Sequence, residues 1–309
     1  MAHKTIANGT AHEVKGGKCL VGGTSYDIKK GRTLINGTGY DIVFSSAVSP
    51  ILDENDWTTI REVSDAGQGS NYWRIGDRKA ITLNGTLGHL SLSNYTTYAF
   101  IIGFNHNASV EGENRIHFQL AKTALSGGKD VCLSDSSYNN SISTTGYFSM
   151  NSSGTNSGGW ESSQMRTNIC GTSLSSYSGT IIAIIPAVLR TVLKSVTKYT
   201  DNTANGGGST ASYVTATTDY FFLLSEFEVF GSISYGNTNE KNKQAQYAYY
   251  SAGNSKIKYT HTDLSNAAFW WLRSPHASDP SRFLRVSSDG TVKHYRAYYS
   301  IGFAPGFCV

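Results

Sequence analysis

Two carboxylate pairs, Glu111 with Glu113 and Glu226 with Glu228, have a spacing that could support acid–base work. In an extended segment each pair shares one strand face, where a solvated or arginine-paired arrangement is the ordinary outcome. His89, His106 and His117 fall in a strand-rich stretch without metal-ligand spacing, so hydrogen-bonded structural roles are expected of them. Cys19, Cys132, Cys170 and Cys308 lie far apart with no CxxC pair, which argues against zinc and a dense disulfide framework and leaves free thiols as the expectation. Neither HExxH nor GxSxG occurs. The Gly17-Lys18 and Gly128-Lys129 pairs are followed by Cys19 and Asp130, where a phosphate-binding loop needs Ser or Thr. The chain therefore reads as non-enzymatic, with no cofactor and no catalytic metal.

The elements that would position these residues follow from composition. The 309 residues include 32 Gly and 19 Tyr, and only 16% are charged, a mixture suited to short strands and tight turns over long surface helices. The expected class is α+β with strands dominant. A net charge of +4, spread without a block of like charges, gives no footprint for nucleic acid or a membrane surface. The longest apolar run, Ile181 to Leu189, is interrupted by Pro186 and too short to cross a bilayer, and the first residues lack the apolar core of a secretion signal. Neither membrane insertion nor conventional export is expected.

Three segments beginning at Lys4, Lys18 and Arg32 align at an offset of 14 residues, with Gly9, Gly23 and Gly37 superposed and Thr10, Thr24 and Thr38 beside them. Each predicts a hairpin closed by Asn-Gly or Gly-Gly in a type I′ turn. Residues 1–44 are thus expected to form a hairpin-repeat stalk or docking segment, and residues 45–309 a separate ligand-binding domain. Hairpins this thin need a partner surface, and repetition suits a homotrimer. In the larger region the best helix candidates are Ser163 to Leu174 and Pro186 to Tyr199. The second carries Val188, Leu189, Val192, Leu193 and Val196 at helical spacing. Strands are expected at 71–77, 80–85, 98–104 and 116–121, and a buried strand at Asp219 to Phe230, although its apolar run also suits a helix. A flexible surface loop is expected at 200–212.

The C-terminal segments "AFWWLRSP" from Ala268, "VSSDGTV" and "GFAPGFCV" resemble the end of a bacterial and phage family with a C-type-lectin-like fold, related to the domain of formylglycine-generating enzymes. Trp57 to Asp77, Gly158 to Arg166, Val196 to Asn202 and Ser225 to Ser232 are similar to other segments of that family, in the same order. Members with such a tail are often variable proteins of diversity-generating retroelements, in which adenine-rich codons are rewritten to vary a ligand-binding surface. Rewriting both adenines of an AAC codon never yields Lys, Glu, Gln, Met or Trp, and from His276 to Val309 only Lys293 belongs to that excluded set.

The resemblance implies that Trp270, Trp271 and Leu272 are a fixed core and that Ser288 to Gly290 make a tight turn between two short strands. The variable region would run from about 276 to 303. Its substitutable positions would be His276, Ala277, Asp279, Pro280, Arg282, Phe283, Arg285, His294, Tyr295, Arg296, Tyr298, Tyr299, Ile301 and Phe303. Aromatics interleaved with arginine are the composition of binding hot spots. The implied role is a phage or prophage receptor-binding protein, assembled in the bacterial cytoplasm onto a virion tail, whose partner is a host cell-surface protein or glycan. A bacterial surface adhesin or carbohydrate-binding module without diversification is the alternative. Cys308 lacks the neighbouring cysteine that copper-dependent oxidases of the related fold need, and the calcium-binding motifs of animal lectins are absent, so neither chemistry is implied.

Overall fold

The computed structural model describes residues 48–120, 129–134 and 148–309 in full, and elsewhere only the strand backbones named below. The chain divides into two compact units, Met1–Pro50 and Ile51–Val309.

In the first unit β1 (Lys4–Ala7) pairs with β2 (Thr10–Glu13), β3 (Gly17–Val21) with β4 (Thr24–Ile28), and β5 (Lys30–Ile35) with β6 (Thr38–Val43), all antiparallel. The closing partners Ala7↔Thr10, Val21↔Thr24 and Ile35↔Thr38 leave two residues for each connection and repeat at the offset of the sequence pattern. The expected turn pairs, 8–9, 22–23 and 36–37, lie outside the described residues.

The second unit is α+β and is built on a five-stranded sheet in the order β13-β19-β9-β8-β7, with β7 (Arg78–Leu87), β8 (Leu90–Phe104), β9 (Ile116–Lys122), β13 (Phe221–Phe222) and β19 (Gly306–Cys308). Helix α1 (Trp57–Asp65) starts where Asp56 accepts a hydrogen bond from the Thr59 amide, and it buries Trp57, Ile60 and Val63, spaced to fall on one face. The Trp57 ring meets Phe118 and Phe307 edge-on at 5.5 and 6.1 Å, fixing the last strand of the chain into the core. The expected strand at 71–77 is not formed: a single helical turn α2 (Gly69–Tyr72) precedes an irregular link in which Gly76 adopts φ +91°.

Small layers complete the unit. Helix α3 (Ala108–Glu111) follows β8, and β10 (Val131–Cys132) joins β14 (Lys258–Thr260) and β15 (Asp263–Ala268) in one sheet. Of the two expected helices, 163–174 contains a six-residue π-helix, Met165–Cys170. The segment 186–199 divides: after α4 (Ile181–Ile184), α5 covers only Ala187–Val192, and β11 (Val196–Asp201) pairs with β12 (Val214–Asp219). The apolar spacing was shared by two elements; Val188 is exposed, while Val196, Lys198 and Thr200 alternate inward as strand residues do. In the stretch Asp219 to Phe230, Asp219 ends β12 and Phe221–Phe222 form β13, after which the chain becomes helix α6 (Glu226–Phe230). Its start is a capping box in which Ser225 and Glu228 each accept the other's amide.

Nor is 200–212 loose throughout. Asp201, Asn202 and Ala204 are buried, and the Asp201 carboxylate accepts the Ala204 amide at 2.7 Å and Asn237 Nδ2 at 2.9 Å. Helix α7 (Ala248–Ser251) precedes the last sheet, β16 (Trp270–Pro275), β17 (Arg282–Val286) and β18 (Val292–Arg296), all antiparallel. Cys132, Cys170 and Cys308 are buried free thiols.

Candidate ligand-binding surface

Strand β16 is buried along its whole length. Trp270 Nε1 donates to the Lys256 carbonyl at 3.0 Å and Trp271 Nε1 to that of Phe148 at 2.8 Å, so each indole satisfies its one polar atom inside the core. The Trp271 amide donates to the Gly302 carbonyl at 3.0 Å, and Gly302 in turn donates to Phe269 at 2.8 Å. A side chain at Gly302 would collide with Cys132 Sγ and the Phe269 carbonyl, which is why the chain has glycine there.

Behind the tryptophans, Arg273 Nε and Nη1 donate to Thr200 Oγ1 at 2.7 Å and the Leu223 carbonyl at 2.8 Å, and Nη2 donates to Glu228 Oε1 at 2.9 Å. Burial opposes the charge on Glu228, but Arg273 and Lys198 outweigh it and hold that carboxyl far below the usual range. Glu226 and Glu228 are therefore buried helix residues, not a strand-face pair. Glu226 is occupied by the amides of Ser234 and Gly236 at 2.7 and 2.8 Å.

Deeper in the same network, His106, Glu111 and Glu228 bring three potential metal donors within 4.8 Å of one another. Lys198 Nζ already fills that place, donating to Glu111 Oε2 at 2.6 Å, Tyr247 Oη at 2.8 Å and Glu228 Oε1 at 2.9 Å. An ammonium with its three hydrogens placed on three acceptors does the work a cation would do there. Burial raises Glu111 to about 7 against the pull of Lys198, and burial together with Lys198 lowers His106 to about 3. Of the three histidines expected to be structural, His106 and His117 stand in this network, and His106 stacks on Tyr247 at 3.7 Å, whereas His89 is exposed and lies outside it.

Beyond Pro275 the chain reaches the surface, and its backbone is held by groups outside the loop. Buried Asn156 points Nδ2 at the carbonyls of His276, Asp279 and Arg282 at 3.1, 2.9 and 2.9 Å, while its amide donates to Pro280 at 2.7 Å. The Ala277 amide donates to the Tyr235 carbonyl at 2.9 Å, and the Gly208 amide to the Ala277 carbonyl at 2.8 Å. Two local contacts use loop side chains: His276 Nδ1 accepts the Ser278 and Asp279 amides, and Asp279 Oδ1 accepts Ser281. The turn after β17 closes with the Gly290 amide on the Ser287 carbonyl at 2.9 Å and Gly290 at φ +81°.

The β17–β18 register sorts the positions by face. Arg282 lies opposite Arg296, Phe283 opposite Tyr295, Leu284 opposite His294 and Arg285 opposite Lys293. Because successive side chains alternate, Arg282, His294 and Arg296 share one face of the ribbon, and Arg285, Lys293 and Tyr295 the other. On the first face the His276 and His294 rings meet edge to face at 4.8 Å, Tyr235 flanks them at 5.7 and 5.0 Å, and Arg282 Nη1 lies 2.8 Å from His294 Nδ1. Burial, then His276 and Arg282, lowers His294 to about 4, so the ring is neutral near pH 7. On the second face the Arg285 guanidinium lies 3.7 Å from the centre of the Phe269 ring and 4.9 Å from that of Tyr295. A ladder of Tyr295, Tyr299 and Tyr298 continues at 4.4 and 4.6 Å.

Three expected substitutable positions belong to the core instead. Phe283, Ile301 and Phe303 are buried at 0%, 1% and 0% exposure. Phe283 sits on the central strand of its sheet, and Phe303 exchanges both backbone hydrogen bonds with Leu133 while its ring meets Phe148 at 5.4 Å. Of the remaining positions, Pro280 and Arg296 are exposed, and His276, Ala277, Asp279, Arg282, Arg285, His294, Tyr295, Tyr298 and Tyr299 are half-buried. Tyr235 and Phe269 join the surface from outside residues 276–303, and buried Asn156 supports it from beneath. Asn156 had a nearby sequence cue in its place just before the "GGWESSQMR" segment and Phe269 in its place within "AFWWLRSP"; Tyr235 had none.

No curated protein and no solved structure matches the chain. Residues 133–309, which carry the whole of this surface, match a family model described as a domain of unknown function, DUF6273, and the chain belongs to that family.

Proposed function

We propose that the chain is a receptor-binding protein of a phage or prophage tail that displays a retroelement-diversified surface on a C-type-lectin-like scaffold. The carrying observation is the division of labour around residues 276–299. Backbone groups there are held by Asn156, Gly208 and Tyr235, and the strand before them by buried indoles and Arg273, while most of the side chains reach solvent. A scaffold whose ordering cost is met by its core can exchange surface side chains without moving the backbone. The closure of the last strand between β9 and β13, in an α+β unit holding every segment that resembles the lectin-like family, fits the same reading. The partner would be a host cell-surface protein or glycan, and the repeated hairpins would serve as a trimeric stalk that turns weak single contacts into avidity.

The test replaces Ala277, Pro280, Arg282, Arg296 and Tyr298 together with other residues that a rewritten AAC codon can encode, and compares urea unfolding with single Phe283→Ser and Phe303→Ser variants. The surface set is expected to cost about 0.5 kcal/mol or less per position, and each core change about 3–5 kcal/mol. Surface replacements that cost as much per position as the core ones would overturn the display reading.

A further inference from the structure

On the display reading, the chemistry of the histidine face narrows what the surface takes. His276 Nδ1 receives the backbone N–H groups of Ser278 and Asp279 at 3.2 and 3.1 Å, and His294 Nδ1 lies 2.8 Å from Arg282 Nη1. Backbone amides and guanidinium groups only donate. Both Nδ1 atoms are therefore acceptors, and in the neutral rings both protons sit on Nε2. An Nε2–H has no lone pair to offer a metal, so each ring presents a donor on the side away from its Nδ1 contact.

The charges around the two rings are unequal. Arg296 lies opposite Arg282 in the register and is exposed. Asp279, the nearest carboxylate, is already engaged: Oδ1 accepts the Ser281 amide and hydroxyl at 2.9 and 2.6 Å, and Oδ2 lies 2.8 Å from Arg282 Nε. Two guanidinium groups against one satisfied carboxylate leave a positive, donor-presenting patch walled by the Tyr235 ring.

We propose that His276, His294 and Arg296 form a subsite for a carboxylate group of the ligand. A carboxylate consists only of acceptors and matches two imidazole donors and a guanidinium. A neutral hydroxyl would also have to place its own hydrogen, and these imidazoles offer it no free acceptor.

The test measures binding of the full chain to polygalacturonate, to the same polymer with its carboxylates methyl-esterified, and to polyglutamate, all at one fixed ionic strength. Binding of polygalacturonate, of polyglutamate or of both, with the ester at least about tenfold weaker, is expected. The polymer preferred tells whether the carboxylate comes on a sugar or on a peptide. His276→Phe and His294→Phe should each weaken binding about tenfold. His294→Gln should retain it, because the glutamine amide nitrogen takes the place of Nε2. Lys293→Ser, which removes a cation from the opposite face, should change binding less than about twofold. Imidazole nitrogen shifts from NMR should show the Nε2-protonated form of both rings, and unfolding curves establish that the variants are folded. Equal binding of the ester, no binding of either acid, or indifference to both phenylalanine variants would overturn the carboxylate subsite. The surface-replacement result stands or falls separately, so failure here is distinguishable from failure of the display reading.

Discussion

Removing Asn156 should loosen the displayed loop without touching any displayed side chain. The residue is fully buried; Nδ2 has two hydrogens to share among the carbonyls of His276, Asp279 and Arg282, and Oδ1 accepts the Asn205 amide at 2.9 Å. Asn156→Ala therefore forfeits about three hydrogen bonds at roughly 1 kcal/mol each and leaves their partners to find water or remain unpaired. The expected loss is about 3 kcal/mol, a fall of roughly 6–12 °C in unfolding temperature for a domain of this size. Urea unfolding gives the total, and amide exchange locates it: Ala277, Asn205 and Gly208 should lose protection while β8 and β9 keep theirs. A loss below about 1 kcal/mol, with exchange in 276–282 unchanged, would refute the claim that this one side chain positions the loop.

Two other substitutions probe the buried network. Arg273→Met strands Glu228 without its guanidinium partner and should cost about 3–5 kcal/mol in urea unfolding, with partial recovery in the Arg273→Met, Glu228→Gln double variant. A cost under about 1 kcal/mol would show that the ion pair does not hold β16. His106 is held neutral to about pH 3, against 6.5 in the unfolded chain, so unfolding takes up a proton between those values. Stability from this group is complete above pH 6.5 and is lost as pH falls toward 3, at up to about 1.4 kcal/mol per pH unit. His106→Gln should flatten the acid limb of the stability–pH curve, and an unchanged limb would contradict that assignment.

The sequence is most legible where one residue type has a single use. Adjacent Trp270 and Trp271 announce a core strand, and Ser288 to Gly290 a turn. It is least legible where two periodicities overlap. Val188 to Val196 satisfies helical spacing, yet Lys198 must reach Glu111, Glu228 and Tyr247 inside the unit, and only a strand over Val196–Asp201 delivers it there. The Ser225-Glu226-Phe227-Glu228 capping box was present in the sequence and outweighs the apolar run that suggests a strand. Tyr235 reaches the surface through tertiary contacts alone, which no local pattern encodes.

The burial of Phe283 between two displayed arginines indicates how such a surface must be encoded. Along β17, the central strand, Phe283, Leu284 and Val286 are fully buried while Arg282 on one face and Arg285 on the other stay half-buried. Diversification that ran evenly through 282–286 would strike the core at most positions, at about 3–5 kcal/mol per large-to-small change, and few products would fold. Tolerance must instead be discontinuous in sequence: permissive at 282 and 285, closed at 283, 284 and 286, and open again on the edge strand at 294 and 296. A saturation library over 276–303, sorted only for folded protein, reads this pattern directly. Even tolerance across β17 would mean that burial along the strand does not separate stability from recognition, and the physical basis for display would be gone.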